Sequence, residues 1–103
     1  MHIDDLVTLY ALAIEKAQAG AFLFAENGEN SMREVCEAIN RMLGFAGPPK
    51  AMSMEEAAAE WGEGTAEDTM ASNSRVRAVR ARQLGWKPVA RSLIEEIEQG
   101  CYR

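Results

Sequence analysis

The sequence predicts an α+β fold that is mostly helical, with about five helices and a small two-stranded parallel β-α-β sheet. Three S-x-x-E strings, beginning at Ser31, Ser53 and Ser92, predict helix starts, because the serine hydroxyl and the glutamate carboxylate can cap each other's backbone amides. Apolar runs at residues 21–25 and 50–52 lie on either side of the helix that follows Ser31. Two strands joined through a helix form a right-handed parallel crossover.

The helices are predicted in chain order from apolar spacing and from their terminal residues. The first covers residues 5–17, is capped by Asp4 or Asp5, and has one apolar stripe at three- and four-residue spacing: Ile3, Leu6, Tyr10, Ala13, Ile14 and Ala17. The second covers residues 32–43, ends at Gly44, and is expected to bury Met32, Val35, Cys36, Ile39, Met42 and Leu43. Helices over 54–61, 75–84 and 93–99 follow, and residues 62–74 are predicted to form a loop.

The run at residues 21–25 is too short for a helix and lies between Gly20 and a polar turn, which is typical of a buried strand. Two strands alone make a poor sheet, with unpaired edges beside Phe22 and Phe24. We therefore expect a partner chain to cover this edge. The interface is predicted at Phe22, Phe24, Arg77 and Arg80, and a homodimer is its simplest form.

Length and composition indicate a single domain over residues 1–103. With 48% hydrophobic and 26% charged residues, the chain has the composition of a globular domain. No apolar run approaches the roughly 20 residues of a membrane span, and no signal peptide is recognisable, so a cytoplasmic location without membrane contact is expected. Cys36 is predicted to be a core thiol and Cys101 a terminal thiol without function. His2, the only histidine, is predicted to cap or pack a helix, and no metal site is expected.

The charged residues are segregated along the chain. Residues 51–74 carry six acidic side chains and no basic one, whereas residues 75–92 carry six basic side chains and no acidic one. We expect the two blocks to compensate each other, within the fold or across a subunit contact. The alternative, a nucleic-acid site, is not favoured, because Trp86 is the only aromatic residue among the arginines.

Strings distributed over residues 2–98 occur in an order known from one enzyme family. His2-Ile3-Asp4-Asp5-Leu6 is similar to an H-V-D-D-L helix start, and residues 22–24 with Ser31-Met32-Arg33-Glu34 are similar to a strand, turn and S-x-x-E helix. Residues 81–88, A-R-Q-L-G-W-K-P, form the most specific string, and a further S-x-x-E helix follows it. Together they resemble the C-terminal, substrate-binding lobe of extended or atypical short-chain dehydrogenases/reductases, the NAD-dependent epimerase/dehydratase family.

The resemblance implies a substrate-binding lobe without its catalytic half. The family's glycine-rich nucleotide turn is absent from this sequence, and neither Tyr10 nor Tyr102 has a lysine four residues later. No Rossmann domain, catalytic residue or cofactor is therefore expected, and the chain is not predicted to be an enzyme on its own. It is expected to act by binding a small-molecule ligand or a partner. Alternatively it completes an NAD(P)-dependent reductase or epimerase with a separate Rossmann-type chain, or it is the end of a longer reductase.

The resemblance also indicates where a ligand would bind. Asn73 and Arg75 flank the position, Ser74, that faces the substrate cleft in the family, and they are the candidate ligand-binding residues. A structural ion pair is the alternative role for Arg75. Trp86, in the L-G-W string, is predicted to anchor the core, with Gly85 ending the preceding helix.

Overall fold

The computed structural model describes residues 1–100, and all regular secondary structure in that range is helical. Five α-helices occur in the order α1 Ile3–Lys16, α2 Met32–Leu43, α3 Met54–Trp61, α4 Val79–Gln83 and α5 Leu93–Gln99. A π-helical segment covers Thr65–Met70. The predicted α+β class is wrong, because residues 1–100 contain no β-strand and no sheet.

The two predicted strands are not formed, because neither segment lies beside another strand to which it could hydrogen-bond. Among the described residues, no backbone N–H or C=O of residues 22–25 has a hydrogen-bond partner, and residues 50–52 do not pair with them. The side chains of 22–25 nevertheless alternate as in a strand. Leu23 and Ala25 pack against the core, whereas Phe22 and Phe24 are exposed and meet edge to edge with ring centroids 5.0 Å apart. The sequence pattern is that of a strand, but a strand is stable only beside another.

The three capping strings are confirmed as helix starts. In α2, α3 and α5 the serine side chain accepts the N3 amide and the N3 glutamate accepts the serine amide. Each glutamate has a lowered pKa, caused by its hydrogen bonds to the capping serine. Helices α3 and α5 have the predicted bounds. Helix α2 also does, and its C-cap Gly44 adopts the left-handed conformation at φ 74°.

The remaining helices differ from their predictions at the ends. Helix α1 begins two residues earlier than predicted because His2 is its N-cap, with Nδ1 accepting the Asp4 amide at 3.2 Å. Helix α4 is shorter than predicted, and no side chain caps its start at Ala78. The predicted loop contains the π-helical segment, which packs against α3 and buries Ala66.

The core is small and made largely of alanine. Leu9, Ala78, Ala81 and Trp86 form the central cluster, and among the described residues only Leu9, Trp86 and Ile97 are large apolar side chains that are buried. Trp86 is 3% exposed, so its predicted anchoring role is confirmed. Helices α2 and α5 pack together and are joined by an ion pair from Arg41 Nε to Glu98 Oε1, 2.7 Å long.

The apolar sides predicted for α1 and α2 are wrong in part. On α2 only Ala38 is buried; Cys36, Val35 and Met42 are half-buried, and Met32, Ile39 and Leu43 are exposed. Cys36 is therefore not a fully buried core thiol, and Cys101 lies outside the described residues. The molecule is a slab with extents of 46 × 32 × 17 Å, and a slab this thin leaves many apolar side chains without cover.

Candidate functional site

A buried carboxylate joins the two ends of the chain. Asp5, which is 2% exposed, accepts the Val89 amide at 2.9 Å and the Ala90 amide at 3.1 Å. The backbone carbonyl of Asp5 accepts the Trp86 indole N–H at 2.8 Å. Charge-assisted hydrogen bonds to backbone amides are among the stronger contacts in a protein. This junction therefore fixes the segment after Trp86 on the start of α1.

A second carboxylate positions the neighbouring segment. Glu26 accepts hydrogen bonds from the Arg82 guanidinium, from the Ala78 amide at 3.3 Å and from the Gly28 amide at 3.0 Å. The Arg82 guanidinium, first among these donors, lowers the pKa of Glu26. Arg82 also lies over the Trp86 ring, 5.8 Å from its centroid. Glu26 thus holds residues 22–25 against α4 and the core.

The two predicted ligand-binding residues lie in one cleft. Asn73 and Arg75 line an open cleft of about 570 Å³ together with Glu29 and Glu34. Arg75 Nε is 3.3 Å from Glu29 Oε1, and Glu34 is engaged in the capping box of α2. The charged groups of this cleft are therefore paired within the protein, and a ligand would have to displace an ion pair. Ligand binding at Asn73 and Arg75 stays a prediction.

The four predicted interface residues also lie together. Phe22, Phe24, Arg77 and Arg80, with Val79, line a cleft of about 410 Å³. Phe22 is 66% exposed and Phe24 47%. Arg77 Nη2 is 3.4 Å from Glu29 Oε2, whereas Arg80 has no ion pair within residues 1–100. This surface combines exposed aromatic rings, an unpaired cation and a segment whose backbone amides and carbonyls have no partners.

Helix α1 presents a second apolar surface, which the sequence stripe predicted only in part. Ile3, Val7, Tyr10 and Ile14 follow each other at spacings of four, three and four residues, so they lie in one row on the helix. All four are well exposed, Ile14 at 84%. The side of α1 that faces the core carries Asp5 and Leu9. A row of large apolar side chains on the solvent side of a helix is typical of a docking surface.

The two charge blocks form no ion pair with each other within the described residues. The ion pairs of the basic block are made with Glu26 and Glu29, which precede the acidic block in the chain. Glu55, Glu60, Glu63, Glu67 and Asp68 make no ion pair in residues 1–100. Compensation through ion pairs within the described residues is therefore wrong, and compensation across a subunit contact stays a prediction.

Two structural residues were missed at the level of sequence. Asp5 was predicted only as a helix cap, and Glu26 only as part of a polar turn, yet both organise the core. The D-D-L string contains Asp5, and the L-G-W-K-P string contains Trp86 and precedes Val89. Nothing in either string shows that these residues contact each other across more than 80 positions of the chain. In residues 1–100 there is no group of three or more histidine, cysteine or acidic side chains that could hold a metal ion.

No helix in the described part of the chain is long and apolar enough to cross a membrane. Comparison with known proteins finds no family model, no curated protein and no solved structure that matches this chain.

Proposed function

We propose that this chain is a binding lobe without catalysis of its own, which resembles the substrate-binding lobe of the NAD-dependent epimerase/dehydratase family and acts by binding a partner chain. The observation that supports this most directly is surplus surface, meaning accessible area beyond that of a closed monomer of the same mass. The accessible area is 7962 Å², compared with roughly 5,700 Å² for a closed monomer of this mass. The excess is larger than the roughly 800 Å² that one partner contributes to a standard interface.

The radius of gyration gives the same answer independently. It is 16.8 Å, whereas a closed domain of this length has about 13 Å. The surplus surface is apolar in large part, because nineteen large apolar side chains are exposed among the described residues. The row on α1 and the Phe22–Phe24 cleft are its two most continuous parts. Both would be covered in a complex with a partner.

The two most separated strings of the resemblance meet in the structure. Asp5, from the D-D-L string, binds the amides of Val89 and Ala90, which directly follow the L-G-W-K-P string. A proton-transfer pair for hydride chemistry is not supported, because Tyr10 is followed four residues later by Ile14. The proposal includes a cytoplasmic location, since a low cysteine content is usual in a reducing compartment.

The partner can be a second copy or a separate Rossmann-type chain. The same surplus surface serves both, and in the second case the pair forms an NAD(P)-dependent reductase or epimerase. A small-molecule ligand at Asn73 and Arg75 is compatible with either. The chain itself supplies no glycine-rich turn whose amides could bind a pyrophosphate.

The proposal is tested by comparing assembly and exposed apolar surface in the same samples. We expect the purified chain either to associate in sedimentation velocity between 1 and 100 μM or to bind the dye ANS as a monomer, since ANS reports exposed apolar surface. The double variant Val7→Gln and Ile14→Gln removes half of the α1 row while keeping good helix formers. It should lower ANS emission or association severalfold.

Glu15→Gln is the matched control, because it changes an exposed residue of α1 outside the row. A monodisperse monomer with no ANS emission above that of a compact protein of equal size would refute the proposal. Isothermal titration with NAD(H) and NADP(H) should give no binding heat. Micromolar affinity for either dinucleotide would contradict the assignment as a lobe without nucleotide site.

A further inference from the structure

We propose that the partner at residues 21–25 is a second copy of this chain, bound as an antiparallel strand pair centred on Leu23. The inference rests on the proposed function and names the partner for one of its two surfaces. It goes beyond that proposal by fixing the symmetry, the register and the residues that meet.

The first observation is the state of the backbone. Residues 22–25 have no backbone hydrogen-bond partner in the described chain, although Leu23 and Ala25 hold the segment against the core. Glu26 fixes the end of the segment through Arg82 and the Ala78 amide. A segment held in place at its core side with free amides and carbonyls is suited to pair with another strand.

The second observation is the sequence of the segment, which is a palindrome. Residues 21–25 read A-F-L-F-A. A twofold axis through Leu23 therefore places Phe22 of one copy opposite Phe24 of the other, and the alanines opposite each other. A twofold interface requires a surface that is complementary to itself, and a palindromic strand in antiparallel register meets this requirement.

The side-chain pattern fits the same arrangement. Residues directly opposite in an antiparallel pair point to the same face of the sheet. The four phenylalanines of a dimer would therefore form one cluster, extending the edge-to-face contact that Phe22 and Phe24 already make. On the other face both copies of Leu23 would pack against their own cores. A two-stranded ribbon is marginal in water, but here it is supported by two cores.

Disulfide trapping tests the register. In a background with Cys36→Ala and Cys101→Ala, chains carrying Phe22→Cys are mixed with chains carrying Phe24→Cys under mild oxidation. Opposite Cβ atoms lie about 4.5–5.5 Å apart and diagonal ones about 7–8 Å, and a disulfide needs roughly 3.5–4.5 Å. We expect the mixture to form a linked dimer several times faster than either variant alone.

Phe45→Cys measures the rate at which disulfides form by random collision, because Phe45 is as exposed as Phe22 and lies outside the segment. Linkage of the mixture no faster than with Phe45→Cys overturns the pairing. Linkage of each variant alone as fast as the mixture overturns the antiparallel register. If the unmodified chain stays monomeric up to 100 μM but binds ANS, the second copy is excluded, whereas the proposed binding function stands.

Discussion

The carboxylate of Asp5 should contribute more to stability than any other single polar group in residues 1–100. Replacing Asp5 with alanine removes the acceptor for the Val89 and Ala90 amides, at 2.9 and 3.1 Å. The helix itself should tolerate the change, since His2 rather than Asp5 is the N-cap of α1. The loss is therefore expected in the contact between α1 and the segment after Trp86.

The size of the effect follows from the two hydrogen bonds. Hydrogen bonds to a charged group contribute about 1.5–3 kcal/mol each. The hydrogen bond from the Val89 amide is only partly buried, so water can reach the freed amide and reduce the loss there. We expect Asp5→Ala to lower the free energy of unfolding by about 3 kcal/mol, out of the roughly 5–15 kcal/mol typical of a domain. The melting temperature should fall by more than about 10 °C.

Urea unfolding followed by circular dichroism measures this loss. Asp4→Ala is the matched control, because Asp4 is the neighbouring acid in the first turn of α1 and its side chain is 83% exposed. Asp5→Asn, which keeps one acceptor oxygen, should fall between the two. An Asp5→Ala variant no less stable than Asp4→Ala would refute the role of this junction.

Two further predictions concern acidic groups and helix caps. Glu26→Gln should destabilise the chain at pH 7 by about 1–2 kcal/mol, because the neutral amide makes a weaker hydrogen bond to Arg82. The pKa of Glu26 is lowered in the folded chain, so the wild type should lose this advantage as the pH falls below the ordinary pKa of a glutamate and through the folded pKa. Urea unfolding of both chains at several pH values measures the difference. Ser92→Ala should cost about 1 kcal/mol by removing the cap of α5. Ser74→Ala, which changes an exposed serine outside the helices, should cost less in the same assay, and equal losses would contradict the capping argument.

Local signals in the sequence predicted the helices well, and pairing between distant segments was not predictable from them. Three helices begin at serine caps because the capping hydrogen bonds join residues three positions apart. The strand at residues 21–25 shows the limit of the same reasoning. Its alternating pattern is present in the structure, but strand pairing depends on a second segment, and within residues 1–100 none lies beside it.

The candidate sites were also predicted only in part. The arginines and phenylalanines of the interface lie near each other because residues 22–24 and 77–80 pack on the same core. Three residues of the α1 row, Ile3, Tyr10 and Ile14, belong to the apolar stripe predicted for this helix and are nevertheless exposed, because periodicity shows that apolar residues share a face but not what covers that face. Ile14, at 84% exposed, is the plainest case.

The response of assembly to salt separates two possible arrangements of a dimer. In the strand-paired dimer the two copies of Arg80, each lining the phenylalanine cleft, are brought toward the same aromatic cluster. Salt reduces the screening length from about 10 Å at 0.1 M to about 3 Å at 1 M, so it should weaken their repulsion and tighten the dimer. If the acidic block of one copy instead meets the basic block of the other, salt should weaken the dimer. Sedimentation at 0.1 and 0.5 M NaCl gives opposite signs for the two cases, and a dissociation constant that rises with salt would contradict the arrangement around Leu23.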